Sequence, residues 1–144
     1  MSLDWLTLTI FFPLVGVAAI MATPSNRHDT IRGVALITSV ITMILSFFVA
    51  STFDPVASGM QFEISVPWVT GLGISYHLGI DGISMLLILL TTILTVLCIL
   101  ASWNSVTIGV KGYFISMLIL TTGMIGVFCA LDLFLFYVFW EVML

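Results

Sequence analysis

Five apolar runs, separated by short segments that hold nearly every charge, limit what this 144-residue chain can fold into. The first goes from about Trp5 to Ala22, the second from about Val34 to Phe53, the third from Ile83 to Ser102 and the fourth from Tyr113 to Leu131. A fifth begins at Leu133 and reaches Leu144. As a helix rising about 1.5 Å per residue, a run of roughly 18 or more apolar residues crosses the ~30 Å hydrocarbon core of a bilayer. Hydrophobic residues make up 61% of the chain and charged residues 7%. Soluble domains carry roughly 45–50% and about 25%, so this chain cannot cover itself with a solvated surface. An all-α, polytopic bundle of transmembrane helices is expected, forming one domain over residues 1–144 with no repeat, low-complexity tract or linker to divide it. The fifth run, 133–144, is short for a crossing, and its last carbonyls would find no partner in hydrocarbon. The domain is therefore expected to be incomplete, continuing past Leu144 or in a second polypeptide.

The few cations orient the bundle. Arg27 and Arg32 lie between the first two runs and Lys111 between the third and fourth, so the positive-inside bias assigns both connections to the cytoplasm or matrix. The N-terminus then lies on the periplasmic or intermembrane side. That side also receives the segment from Asp54 to Asp81, which carries Asp54, Glu63 and Asp81 but no Lys or Arg. Asp4 stands where a secretory signal would have a basic flank, so the first run reads as an uncleaved span. Pro13 removes a backbone donor inside that run and predicts a kink whose freed carbonyl needs a neighbouring helix. Trp5, Trp68, Trp103 and Tyr113 fall near the expected membrane boundaries, as an aromatic belt requires. Residues 60 to 66 alternate as Met-Gln-Phe-Glu-Ile-Ser-Val, and 74 to 78 read Ile-Ser-Tyr-His-Leu, with Thr70-Gly71-Leu72-Gly73 between them. A small extramembrane hairpin is expected there.

Several kinds of site find no support. Cys98 and Cys129 are single residues inside expected helices, without Cys-x-x-Cys or mixed Cys/His spacing, so neither a disulfide framework nor a zinc or iron–sulfur site is indicated. His28 and His77 fall on opposite faces of the membrane, too far apart to hold one haem. No glycine-rich phosphate cradle opens a helix, and no basic stripe suggests nucleic acid. The chain itself is expected to hold no cofactor and no metal.

The carboxylates are more informative. Glu141 lies nine residues after Asp132 in an otherwise apolar run; at about 1.5 Å per residue its carboxyl would be about 13 Å deep, near the middle of the slab. An ionisable group there costs about 2.5–3.5 kcal/mol on insertion scales and marks an ion or proton pathway. Capping cannot account for it, and the competing explanation is a carboxyl hydrogen-bonded to a neighbouring helix as packing glue. An apolar site favours the protonated form of a lone carboxyl, and a cation within about 4–6 Å favours the charged form, so a movable Lys or Arg would load and unload a proton. No Lys or Arg occurs in any of the five runs, so that partner is expected from beyond Leu144 or from another subunit. Glu141 should face the protein interior or a hydrated cavity. Tyr137, one turn earlier on the same face, is a candidate to donate a hydrogen bond or join a water chain, or else is simply packed. Asp81 opens the third run and Asp132 the fifth, and both are best explained as N-caps. Asp81, near the outer mouth, also remains a candidate for ion entry, and Asp132 for support of the proton path.

The stretches Gly79-Ile80-Asp81-Gly82-Ile83-Ser84-Met85-Leu86-Leu87, Cys98-Ile99-Leu100-Ala101-Ser102-Trp103 and Met124-Ile125-Gly126-Val127-Phe128-Cys129-Ala130-Leu131-Asp132-Leu133-Phe134-Leu135-Phe136-Tyr137-Val138-Phe139-Trp140-Glu141 closely resemble the M-type antiporter-like membrane subunit of proton-pumping NADH:quinone oxidoreductase, respiratory complex I. The resemblance is specific from about Trp68 onward and concerns the N-terminal part of that subunit. It implies a subunit of a redox-driven proton translocase that carries no redox chemistry itself. NADH, FMN, iron–sulfur clusters and quinone would then belong to other subunits, and the other membrane-arm subunits and the lipid bilayer would be the partners. The host would be a bacterial cytoplasmic membrane or the mitochondrial inner membrane. By the same likeness Glu141 matches the fifth-helix glutamate that pairs with a lysine on the seventh helix, within one of two inverted repeats. That lysine is not in this sequence. The alternative is a D-type subunit of a multisubunit Na⁺/H⁺ antiporter, which shares the ancestry and also places a glutamate here.

Overall fold

A computed structural model describes residues 4–144. They form α1 (Trp5–Ala22), α2 (His28–Ser51), β1 (Gln61–Val69), a 3-10 turn (Thr70–Leu72), β2 (Ile74–Ile80), α3 (Gly82–Ser102), α4 (Val110–Cys129) and α5 (Leu133–Met143). Helices α1 to α4 are long and apolar enough to cross a membrane, and α5 is a shorter apolar helix. Helix α2 starts six residues before the apolar run does, because hydropathy marks hydrocarbon and not helix. Asp29 in its first turn suits the positive helix end and pairs with Arg32 at 3.1 Å. Helix α1 is assigned as continuous through Pro13, which is buried, and stops at Thr23, whose extended backbone is what Pro24 demands.

Helix α4 is the hub, touching α1, α2, α3, α5 and β2. One apolar cluster, around Ile20, Ile31, Ile99, Phe114 and Leu118, fills the end holding the α1–α2 and α3–α4 connections. A second, around Ile10, Val49, Leu78, Ile88, Ile125 and Phe139, fills the end holding the hairpin. Every buried polar side chain among the described residues is a Ser or Thr. Ser46 of α2 bonds Thr92 of α3 at 2.9 Å, and Thr95 of α3 bonds Thr121 of α4 at 3.2 Å. Hydroxyls of this kind also bond back to their own helix, as Thr95 does to Thr91 O, so the donor keeps a backbone acceptor within the apolar bundle. Glycine permits the closest approaches: a Cβ on Gly16 would lie 2.5 Å from the Thr38 side chain. Outward, α3 leaves Ile83, Leu86, Leu90, Leu94, Leu97 and Leu100 uncovered along its length. Such an apolar face belongs against lipid or another apolar surface.

The ends of the bundle differ in charge, as the sequence leads one to expect. Lys111 Nζ donates to the carbonyls of Met21 and Thr23, both at 2.9 Å, placing a cation on the negative end of α1. Arg32 donates to Val106 O at 3.0 Å, so the α1–α2 and α3–α4 connections are tied together there. The hairpin forms at the other end, with Asp54, Glu63 and Asp81. Its strands are antiparallel in the register Ile64↔Leu78, Ser65↔His77 and Val66↔Tyr76, and Gly73 takes the left-handed conformation (φ 67°) that the turn needs. His77 Nε2 and Glu63 Oε1 approach to 2.7 Å on the exposed side. Leu78 and Ile80 are fully buried on the bundle, and the Tyr76 hydroxyl reaches Thr7 Oγ1 at 3.2 Å.

Candidate functional site

Helix α5 is held by its first turn and by one face. Asp132 accepts from the N–H groups of Phe134 (2.9 Å) and Leu135 (3.2 Å), satisfying two of the donors every helix start leaves free. Leu135 and Phe139, one turn apart, are the buried side chains of α5. Phe139 lies flat against Gly126 of α4, and the α5 backbone at Phe139 and Met143 passes 3.2–3.3 Å from where a Cβ on Gly123 would be. Two glycines one turn apart on α4 therefore form the slot into which α5 packs.

That packing decides where Glu141 points. Two residues beyond Phe139 is about 200° of helical turn, so Glu141 lies opposite the packed face and is exposed. Tyr137 shares the exposed side, one turn before Glu141 on the same helix face. The enclosure expected of Glu141 is not supplied by these five helices, because the glycine slot turns the opposite side of α5 inward. Phe136 and Trp140, which stack at a centroid distance of 5.9 Å, flank this face.

The other two carboxylates stand apart from Glu141. Asp81 caps α3, accepting from Ser84 N–H at 2.8 Å, and that backbone bond holds its carboxyl below the usual range. Because the folded form binds its proton less readily than the unfolded one, the cap contributes fully above about pH 3.9 and is lost as pH falls through the folded-state value. Asp81→Ala is thus expected to lower the Tm of the native assembly by about 2–4 °C at pH 7. In thermal scans the gap should begin to narrow below about pH 4 and close only once the pH has fallen through the folded-state value.

Asp132 does more than cap. Its Oδ2 accepts from the backbone N–H of Ser75 (3.2 Å) and from the Ser75 hydroxyl (3.4 Å), and the Ser75 backbone bond leads in holding this carboxyl below its usual range. The structure thus brings Asp132 to Ser75 and leaves Tyr137 and Glu141 on one exposed face of α5, whereas no hydrogen bond joins either aspartate to Glu141 among the described residues. Ser75, Gly79 and Gly126 are positions that a reading of the sequence passes over. Gly126 carries a weak local signal, as a glycine four residues after Thr122 and three after Gly123 in an apolar helix. Ser75 carries none, since its partner lies 57 residues away.

No protein-family profile matches the chain. Individual proteins do. NADH-ubiquinone oxidoreductase chain 4 of Marchantia polymorpha is 40% identical over 132 residues, covering 92% of this chain and 27% of that protein. NADH-quinone oxidoreductase subunit M of Rhodobacter capsulatus is 43% identical over 141 residues, 94% of this chain and 27% of the relative. The subunit M of Pseudomonas aeruginosa is 36% identical over 151 residues, 100% and 29%. The chain spans a little over a quarter of the length of the curated relatives it matches. With four helices long and apolar enough to cross a membrane, and these relatives, it is an integral membrane protein.

Proposed function

From a chain that matches the N-terminal part of chain 4 and subunit M proteins over most of its length, we propose that it forms the first helices of a proton-translocating membrane-arm subunit of NADH:quinone oxidoreductase. Glu141 is the group that takes up and releases the proton. The observation carrying this reading is the position of Glu141 among apolar residues well past the start of α5, while the other carboxylates cap or open a helix or lie in the hairpin or a connection. Such a carboxyl is costly in hydrocarbon and is retained for ion movement. Its uncovered side is where the remaining length of the subunit supplies the enclosing helices and a basic partner. A cation arriving there favours the charged carboxylate, and its departure favours the protonated one. Tyr137 hands hydrogen bonds along the same face.

NADH, flavin, iron–sulfur clusters and quinone are bound elsewhere in the assembly, and the partners of this chain are the neighbouring membrane-arm subunits and lipid. The cationic end of the bundle faces the cytoplasm or matrix, which puts the hairpin and the N-terminus on the periplasmic or intermembrane side. Purifying the native assembly through this protein tests the reading. Recovery of a peripheral arm with flavin and iron–sulfur absorbance is expected. Recovery of small hydrophobic subunits without redox centres would replace it with a D-type subunit of a Na⁺/H⁺ antiporter.

A further inference from the structure

The three residues joining α4 to α5 are held by strand β2 at each position. Ala130 bridges Leu78, Leu131 donates its N–H to His77 O at 2.8 Å, and Asp132 receives both donors of Ser75. The linker is in effect a short third strand of the hairpin. Gly79 lets the linker's Leu131 side chain lie close over β2: a Cβ there would be 2.8 Å from Leu131 Cδ1, so a larger side chain would displace that methyl. Asp132 meanwhile divides its two oxygens, Oδ1 for the first turn of α5 and Oδ2 for Ser75.

Capping alone needs one oxygen, and Ser or Asn would serve as well as Asp. The second oxygen fixes something else. A helix anchored at its first turn to a sheet is fixed about its own axis, and each residue step around an α-helix is 100°, so a modest rotation carries Glu141 from one neighbour to another. We infer that Asp132, acting through Ser75, is a positioning residue that sets the direction in which Glu141 points, with the hairpin as the fixed reference. Asp132 itself touches no transferred proton, being about 13 Å along the helix from Glu141. The inference rests on the reading of Glu141 as the proton-handling group.

The test is made in the native full assembly. Asp132→Ser keeps a capping hydroxyl but is too short to reach Ser75 as well. Gly79→Val leaves Asp132, its charge and its cap untouched and displaces the Leu131 side chain from its seat on β2. The readout is the rate at which a hydrophobic carbodiimide, which adds to protonated carboxyls in apolar surroundings, labels Glu141 at fixed pH. Labelling is located by mass spectrometry and counted per assembled complex, so a variant that merely folds poorly lowers the yield and not the rate. Both variants are expected to label about threefold faster or more, a change of about 0.65 kcal/mol in the barrier, because a freed α5 lets the carboxyl leave its charged partner. Proton translocation should fall in parallel. Rates equal to wild type in both variants overturn the inference and leave the role of Glu141 standing. If wild-type Glu141 resists labelling at every pH and Glu141→Gln pumps normally, the functional reading itself fails and takes this inference with it.

Discussion

Glu141→Gln, introduced into the complete assembly and reconstituted in vesicles, is expected to lower proton translocation at least about tenfold while assembly stays intact. Gln has the shape and hydrogen-bonding reach of a protonated Glu but cannot ionise, so it preserves whatever packing role the side chain has and removes only the proton. Proton transfer by a positioned side chain is worth about 10²–10⁴-fold, and a tenfold loss is the lower limit if water chains partly bypass the residue. Stability should hardly change, because Glu141 is exposed and lies opposite the face that packs on α4. Glu141→Asp, which keeps the charge but shortens the reach, should fall between the two. Translocation by the Gln variant at the wild-type rate would leave Glu141 as packing glue alone. Loss of the assembled complex would instead show that assembly requires the carboxyl itself, a structural role that Gln cannot fill.

The second large effect is expected at Gly126, where α5 meets α4. A Cβ built there overlaps the ring of Phe139, and neither an aromatic ring inside a helix contact nor the α4 backbone can yield cheaply. Gly126→Ala is therefore expected to destabilise the native protein by about 1–3 kcal/mol, the usual cost of overpacking, and larger side chains to dislodge α5. Gly112, on the same helix with nothing within 4 Å of its hypothetical Cβ, is the internal control. Ala there should be neutral or slightly stabilising, since Ala favours the helix over Gly by about 0.8–1.0 kcal/mol. Thermal unfolding of both variants checks the pair. Equal melting temperatures for Gly126→Ala and Gly112→Ala would show that the slot is not what seats α5. Phe139→Leu combined with Gly126→Ala should recover part of the loss, because the smaller side chain vacates the contested space.

Much of the architecture is legible before any coordinates. Long apolar runs become helices because hydrocarbon offers no other partner for backbone groups, so the spans appear at Trp5–Ala22, Gly82–Ser102 and Val110–Cys129 within a few residues of where hydropathy places them. Boundaries shift where helix outlasts hydrocarbon, as at His28 and Val110, since hydropathy measures the solvent and the helix extends into polar surroundings. The hairpin is likewise readable from alternation and the Thr-Gly-Leu-Gly turn, and both aspartates cap the helices they precede.

The amino-acid order by itself determined the class of fold, the segregation of charge between the two ends of the bundle and the presence of one carboxylate within an apolar helix, because these are local properties of composition and period. Only the tertiary structure decided which way that carboxylate turns and what holds it there. The glycine slot on α4 seats Phe139, and β2 grips Ala130, Leu131 and Asp132 through Leu78, His77 and Ser75. These contacts join residues more than fifty positions apart in β2 and the linker, and a shift of two residues around a helix, about 200°, exchanges inside and outside. No local pattern carries information about that angle, so it had to come from the packing.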